Sequence, residues 1–254
     1  MDTGRHGHEP PQLRMNLAAV TQARRTPGLV VLEGFHAIAQ AVRFGAELLG
    51  AWTADPDAVE ELRAQFAADI QIPLEVVDLS DLKAIVPRGQ VVAVARRPSQ
   101  PDPDTVLAGP GHVVLLEDPR HLGNLGAVVR VAAAAGVAGV MTTGRQDPWH
   151  PDALRGSAGL HFALPVHHLR AVRTGGRELV ALDPDGEPLA PASFPDAAVL
   201  AFGTERHGLS AELLSQAQRR VALPMTPGVS SLNLATAVAA TLYALRFGRV
   251  DATR

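Results

Sequence analysis

The sequence predicts an α/β protein in two units, with a parallel sheet in the second. Three observations carry this. Short apolar runs of strand length alternate with helix-length segments along most of the 254 residues, the pattern of layered βα units. In the second half those runs, "HVVLLED" and "AAVLAFGTE" among them, are apolar almost throughout, as in parallel strands covered on both faces. Between the halves lies the proline-rich stretch "PSQPDPDTVLAGPG" (98–111), whose composition reads as an interdomain linker over 99–111.

Residues 1–12, "MDTGRHGHEPPQ", are polar and rich in breakers, so they are expected to be disordered, and they lack the apolar stretch of a signal peptide. The first unit, 13–98, has its first strand at 28–34. "FHAIAQAVRFG" (35–45) follows with apolar residues at helical spacing and stops at Gly45. A strand at 48–54, an amphipathic helix at 56–70, a strand at 73–78, a helix near 79–86 and a strand at 90–98 complete it. The second unit, 112–254, starts with a strand at 112–118. A helix at 124–135, a strand at 136–144, a short helix at 150–159 and a strand at 164–169 follow. Strands at 177–184 and 197–205, a helix at 210–217, a strand at 219–225 and a long helix at 231–248 close the chain.

Composition narrows the class. Hydrophobic residues make up 46% and charged residues 19%, enough to bury a sizeable core. No run reaches the roughly 18 apolar residues of a membrane span. There is no cysteine, which excludes disulfides, thiolate zinc sites and cysteine nucleophiles and accords with a cytoplasmic protein. The net charge of −3 supplies no global attraction to a polyanion. The basic residues are nearly all arginine, with Lys83 the single lysine. Arginine binds phosphate as a fork, although a GC-rich genome gives the same bias.

Three stretches stand out. "GNLGAVVRVAAAAG" (123–136) opens on glycines and continues as a small-residue helix with one charge, Arg130. Its G-x-x-G offers backbone N–H groups to an anion, with Asn124 where an N-cap belongs; a capped core helix whose arginine reaches the surface fits as well. Neither the dinucleotide fingerprint nor the P-loop pattern is present. "AFGTERHGLS" (201–210) runs an apolar strand into Gly203, Glu205 and Gly208. Glycine at a strand's carboxyl end lets a ligand approach the backbone, though a plain strand-to-helix turn looks the same. "LPMTPGVSSLNLATAVAA" (223–240) ends a strand at a proline–glycine turn, with Ser230 and Ser231 ahead of a small-residue helix and Asn233 in its first turn; an ordinary serine-capped helix is the alternative.

Together the three resemble the motifs of the SpoU/TrmH class of RNA ribose 2′-O-methyltransferases, in the knotted SPOUT superfamily. Asn124, Leu125, Gly126, Ala127 and Arg130 match the first motif; Gly203, Glu205 and Gly208 the second; Pro224, Met225, Ser231, Leu232 and Asn233 the third. The intervening "RGSAGLHFALPV" (155–166) agrees too. Leu122 and Gly123 stand where many members have Asp-Pro, and in this the chain is similar to the thiostrepton-resistance methyltransferases. Residues 13–98 resemble the ribosomal-protein-like substrate-binding domain often fused ahead of this catalytic domain. The resemblance implies a small N-terminal α/β RNA-binding domain and a C-terminal knotted parallel-sheet domain.

It also implies a reaction: S-adenosylmethionine methylates a ribose 2′-hydroxyl, in large-subunit (23S) rRNA or alternatively in tRNA. Cofactor contacts fall on Gly203, Leu223, Met225 and Leu232. Arg130 is the central catalytic residue, with Asn124, Glu205, Ser231 and Asn233 orienting it and the substrate. The motifs offer no evident general base. A guanidinium does not readily lose its proton, so Arg130 is expected to act as a cation that binds phosphate and stabilises alkoxide charge. A homodimer is implied, with neither metal nor membrane. Arg24, Arg25, Arg96 and Arg97 are the candidate RNA contacts of the first unit. The rival readings are a non-catalytic RNA- or ribosome-binding protein that keeps the fold, which intact motifs argue against, and a dinucleotide oxidoreductase, which the missing fingerprint argues against.

Overall fold

The computed structural model describes residues 15–191, 194–204 and 207–251, the side chains of 249–251 excepted. The expectation for residues 1–12 and the candidate Glu205 therefore lie outside the described residues. The chain divides into two compact units, 1–97 and 98–254.

In the first unit, α1 (Ala19–Ala23) precedes β1 (Leu29–Glu33), α2 (Phe35–Arg43), β2 (Leu48–Thr53), α3 (Pro56–Phe66), β3 (Glu75–Val76), α4 (Leu79–Ile85) and β4 (Val91–Arg96). Helix α3 starts where Asp55 accepts from the Ala58 N–H at 3.0 Å and Pro56 fills the first turn. The sheet order is β1-β4-β2-β3. It is mixed: β4 is antiparallel to β1 and β2, and β3 runs parallel to β2. Val20, Val31, Trp52, Leu82, Val92 and Val94 pack into one core.

The second unit runs α5 (Pro103–Ala108), β5 (Val113–Leu116), α6 (Leu122–Ala135), β6 (Gly139–Thr142), α7 (Pro151–Gly156), β7 (Val166–His168), β8 (Glu178–Pro188), β9 (Ala198–Phe202), α8 (Ala211–Gln216), β10 (Arg219–Ala222) and α9 (Leu234–Asp251). Its six strands pair in the order β10-β8-β9-β5-β6-β7, every pair parallel. The uninterrupted apolar runs have the expected cause, since every residue of β5 and β9 is buried. One face packs Val113, Leu115, Val199 and Ala201 against Leu107 of α5 and Leu213 of α8.

Residues 99–111, expected as a linker, correct that reading. They contain α5, which Asp102 caps by accepting from the Asp104 N–H at 2.8 Å. Leu107 is 2% exposed in the second unit's core. Gln100 Oε1 accepts from the Val166 N–H of β7 at 2.8 Å. Arg177 spans the end of the helix, donating to the carbonyls of Val106, Leu107, Gly109 and Gly111. Burial there pulls its guanidinium below the usual arginine value.

Candidate active site

Residues 182–185 in the middle of β8 and the carboxyl ends of β9 and β10 open together onto a cavity of about 560 Å³, within the size range of small-molecule sites. This is the end of a parallel sheet where ligands bind. Gly203, Leu223, Met225 and Leu232, the four predicted cofactor contacts, all line it, as does Ser231.

Local backbone explains the glycines of the second motif. Thr204 and Gly208 exchange both backbone hydrogen bonds, at 3.1 and 3.0 Å, closing a small loop after β9. A Cβ on Gly203 would stand 2.0 Å from the Gly208 carbonyl carbon, and Gly208 has φ +64°, where side chains are disfavoured. Each glycine is thus needed for loop closure. His207, inside this motif, also lines the cavity; the motifs therefore do carry an imidazole beside it. Leu182, Asp183 and Arg220 line the cavity too. No motif spacing signals them, because β8 and β10 are far apart in sequence.

The first and third motifs meet through a side-chain hydrogen bond. Asn233 Nδ2 donates to Asn124 Oδ1 at 3.1 Å. Asn233 Oδ1 meanwhile accepts from the N–H groups of Ala235 and Thr236, at 2.9 and 3.3 Å. Asn233 is therefore the cap of α9, in place of the expected serine, and the helix begins at Leu234 rather than 231. Asn124 is likewise not a cap, because α6 starts two residues earlier at Leu122. Its amide instead ties α6 to the start of α9, next to cavity residues Ser231 and Leu232.

Nor do the α6 glycines form an anion cradle. Both lie within the helix, and a Cβ on Gly126 would stand 2.2 Å from the Ala153 carbonyl oxygen of α7. Gly126 is there so that two helices can touch. Arg130 is exposed on α6, without a side-chain hydrogen bond or ion pair among the described residues. It is not among the residues that line this chain's cavity.

A second polar cluster belongs to the core. His161 Nε2 donates to the Pro148 carbonyl at 2.8 Å, and its Nδ1 lies in hydrogen-bond contact with Ser157 Oγ at 2.7 Å, whose hydroxyl donates to the Leu154 carbonyl at 2.9 Å. Both residues are 0% exposed, which closes this serine–histidine pair to any substrate.

The candidate RNA contacts differ from one another. Arg24 pairs with Glu33 at 2.7 Å and donates to the Ile85 carbonyl at 3.3 Å. Arg96 pairs with Glu47 at 2.9 Å. Arg97 bonds through its backbone N–H to Gly28 at 2.8 Å, beside the start of β1. Arg25 is exposed, with no ion pair among the described residues. The charges of Arg24 and Arg96 are thus locally offset, and Arg24 ties down the first unit's fold.

A family model described as the SpoU rRNA methylase family matches residues 111–243. An uncharacterized tRNA/rRNA methyltransferase of Synechocystis is 33% identical, covering 89% of this chain and 86% of its own. A 23S rRNA (adenosine(1067)-2′-O)-methyltransferase of Streptomyces laurentii is 26% identical, over 92% and 91%. In fold, the chain is similar to the crystal structure of the SpoU methyltransferase AviRb from Streptomyces viridochromogenes, in complex with the cofactor AdoMet. That likeness has a TM-score of 0.73 at 24% identity, over 94% and 95% of the two chains. With the second and third motifs lining one cavity, the first tied to the third through the Asn124–Asn233 bond, and the family model matching more than half its length, this chain belongs to the SpoU rRNA methylase family.

Proposed function

We propose that this chain methylates a ribose 2′-hydroxyl of large-subunit (23S) rRNA with S-adenosylmethionine as donor. The observation that carries this is the junction of motifs: the predicted cofactor contacts line one cavity, and the Asn124–Asn233 bond links its rim to the helix bearing Arg130. The choice of rRNA is supported by the name of the Streptomyces laurentii relative.

The residues fit the cofactor. Leucines, Phe202 and Met225 give an adenosine apolar walls, while Thr204 and Ser231 add hydroxyls. Bound there, S-adenosylmethionine supplies a methyl group on a sulfonium, which needs no acid to leave. The chain's task is the nucleophile. Arg130 holds a phosphate of the target and stabilises the alkoxide that forms as the hydroxyl loses its proton. Asn124 and Asn233 fix the start of α6 against α9, and with it the bearing of Arg130. Ser231, at the cavity rim, and Glu205 join them in orienting Arg130 and the substrate.

The working unit in this reading is a homodimer, joined through the small-residue faces of α6 and α9. It is supported by Arg130, which stands away from its own chain's cavity and needs a substrate or second copy to meet. The knot implied by the resemblance is one made by the last strands and the last helix, and the place of action is the cytoplasm, where the rRNA is. The test maps 2′-O-methyl groups in the rRNA and tRNA of a deletion strain and its complemented parent. One 23S position should lose its methyl and regain it on complementation. A loss confined to tRNA would replace rRNA as the substrate, and no change in either would leave the non-catalytic reading.

A further inference from the structure

An ion pair is built into the cavity wall, and the reaction as described has no use for it. Asp183, with a side chain 11% exposed, and Arg220 both line the cavity. Arg220 donates from Nε at 2.9 Å and from Nη2 to the same oxygen, Asp183 Oδ2. Asp183 Oδ1 accepts from the Asp185 N–H at 3.1 Å. Both atoms of the guanidinium that face Asp183 are used, while Nη1 has no partner among the described residues.

The backbone is deformed to bring the pair here. Along the β8–β10 ladder, Ala181 pairs with Arg220 but the next β10 residue, Val221, pairs with Glu187. Residues 182–186 thus leave the ladder, and a bulge of this kind re-aims side chains beside a site. Gly186 permits the return: a Cβ there would stand 2.6 Å from the Arg220 carbonyl carbon. A surface ion pair of purely structural use contributes little to stability and requires no such excursion into a ligand cavity.

We propose that Asp183 and Arg220 form the subsite for the zwitterionic amino-acid end of the cofactor. Arg220 holds its carboxylate through Nη1, and Asp183 holds its ammonium. This rests on the S-adenosylmethionine reading and extends it to one end of the molecule. Charge bookkeeping favours it. The pair neutralises itself in the empty cavity, and a ligand end carrying one charge of each sign docks without leaving either protein charge uncompensated. A ribose diol would use the carboxylate alone and leave the guanidinium without a task.

The test is equilibrium binding of two probes to the full chain by calorimetry. S-adenosylhomocysteine carries the amino-acid end; 5′-deoxy-5′-methylthioadenosine lacks it. In Arg220→Met and Asp183→Asn the first probe should weaken about tenfold or more, the worth of one charge-assisted hydrogen bond. The second should stay within about twofold, which also shows that the variant's cavity is intact. Equal weakening of both probes overturns the proposal in favour of a ribose or structural role, and so does no weakening of either. A wild-type chain that binds neither probe overturns the cofactor reading itself, and this one with it.

Discussion

Arg130 stands on α6 in solvent, and its neighbours on the helix are alanine and valine. Nothing among the described residues neutralises it, so its charge is available to an incoming phosphate. Arg130→Ala should lower methyl transfer by about 10²–10³, the usual cost of one charge-stabilising donor, with S-adenosylhomocysteine affinity unchanged. Arg130→Lys should also fail, since an ammonium lacks the guanidinium fork. Cofactor affinity lost along with activity would contradict the role. The two α6 glycines separate on the same helix. Gly123→Ala places its methyl in open space and should stabilise by about 0.5–1 kcal/mol through helix propensity. Gly126→Ala gains the same propensity but drives its methyl into α7 backbone, and overpacking at about 1–3 kcal/mol outweighs it. Thermal melts of the two variants should shift in opposite directions. The motif residues were legible because each motif is contiguous in sequence. Asp183 and Arg220 were not, because only the sheet brings them together.

Helices and strands were mostly legible from periodicity, and the exceptions share a cause. Helix α1 has five residues and α5 six, too few for an apolar repeat to show. In α5 the two buried side chains, Val106 and Leu107, are flanked by proline, aspartate and glycine, so the composition of a linker hides a docked helix. The start of α6 and both ends of α9 shifted because the residue that begins or ends a helix is set by local backbone geometry rather than by apolar spacing. Asn233 caps α9 while bonding Asn124, and Arg246 of α9 reaches the Ala134 and Ala135 carbonyls that end α6, at 3.5 and 3.4 Å, as suits a cation at a helix C-terminus. Arg177 does for α5 what no sequence pattern could announce. Arg177→Met should destabilise the second unit by about 1–3 kcal/mol, because several carbonyls lose a charged donor at once. Amide hydrogen exchange across 103–108 should accelerate in this variant; protection equal to the wild type would show that core packing alone holds α5.

At the scale of the whole molecule, we propose a division of labour in which the first unit reads RNA and the second binds cofactor and does the chemistry. Every catalytic motif lies beyond residue 97, where the units divide. The division also says where to cut. A chain starting at Gly109 loses α5, so Leu107 no longer fills the core and the Arg177 guanidinium loses the Val106 and Leu107 carbonyls. A chain starting at Pro98 keeps both. Residues 98–254 should therefore fold, dimerise in sedimentation at micromolar concentration and bind S-adenosylhomocysteine like the full chain, while residues 109–254 should melt earlier. RNA binding should separate from these properties. Residues 98–254 lack Arg24, Arg25, Arg96 and Arg97, so their RNA affinity should fall. The log–log salt dependence should flatten by roughly 0.7 to 0.9 for each phosphate that is no longer neutralised. Arg24 and Arg96 already face Glu33 and Glu47, so the slope should change by less than four arginines acting in full would give. Equal affinity and equal slope in 98–254 and the full chain would move RNA reading onto the second unit, where Arg130 lies.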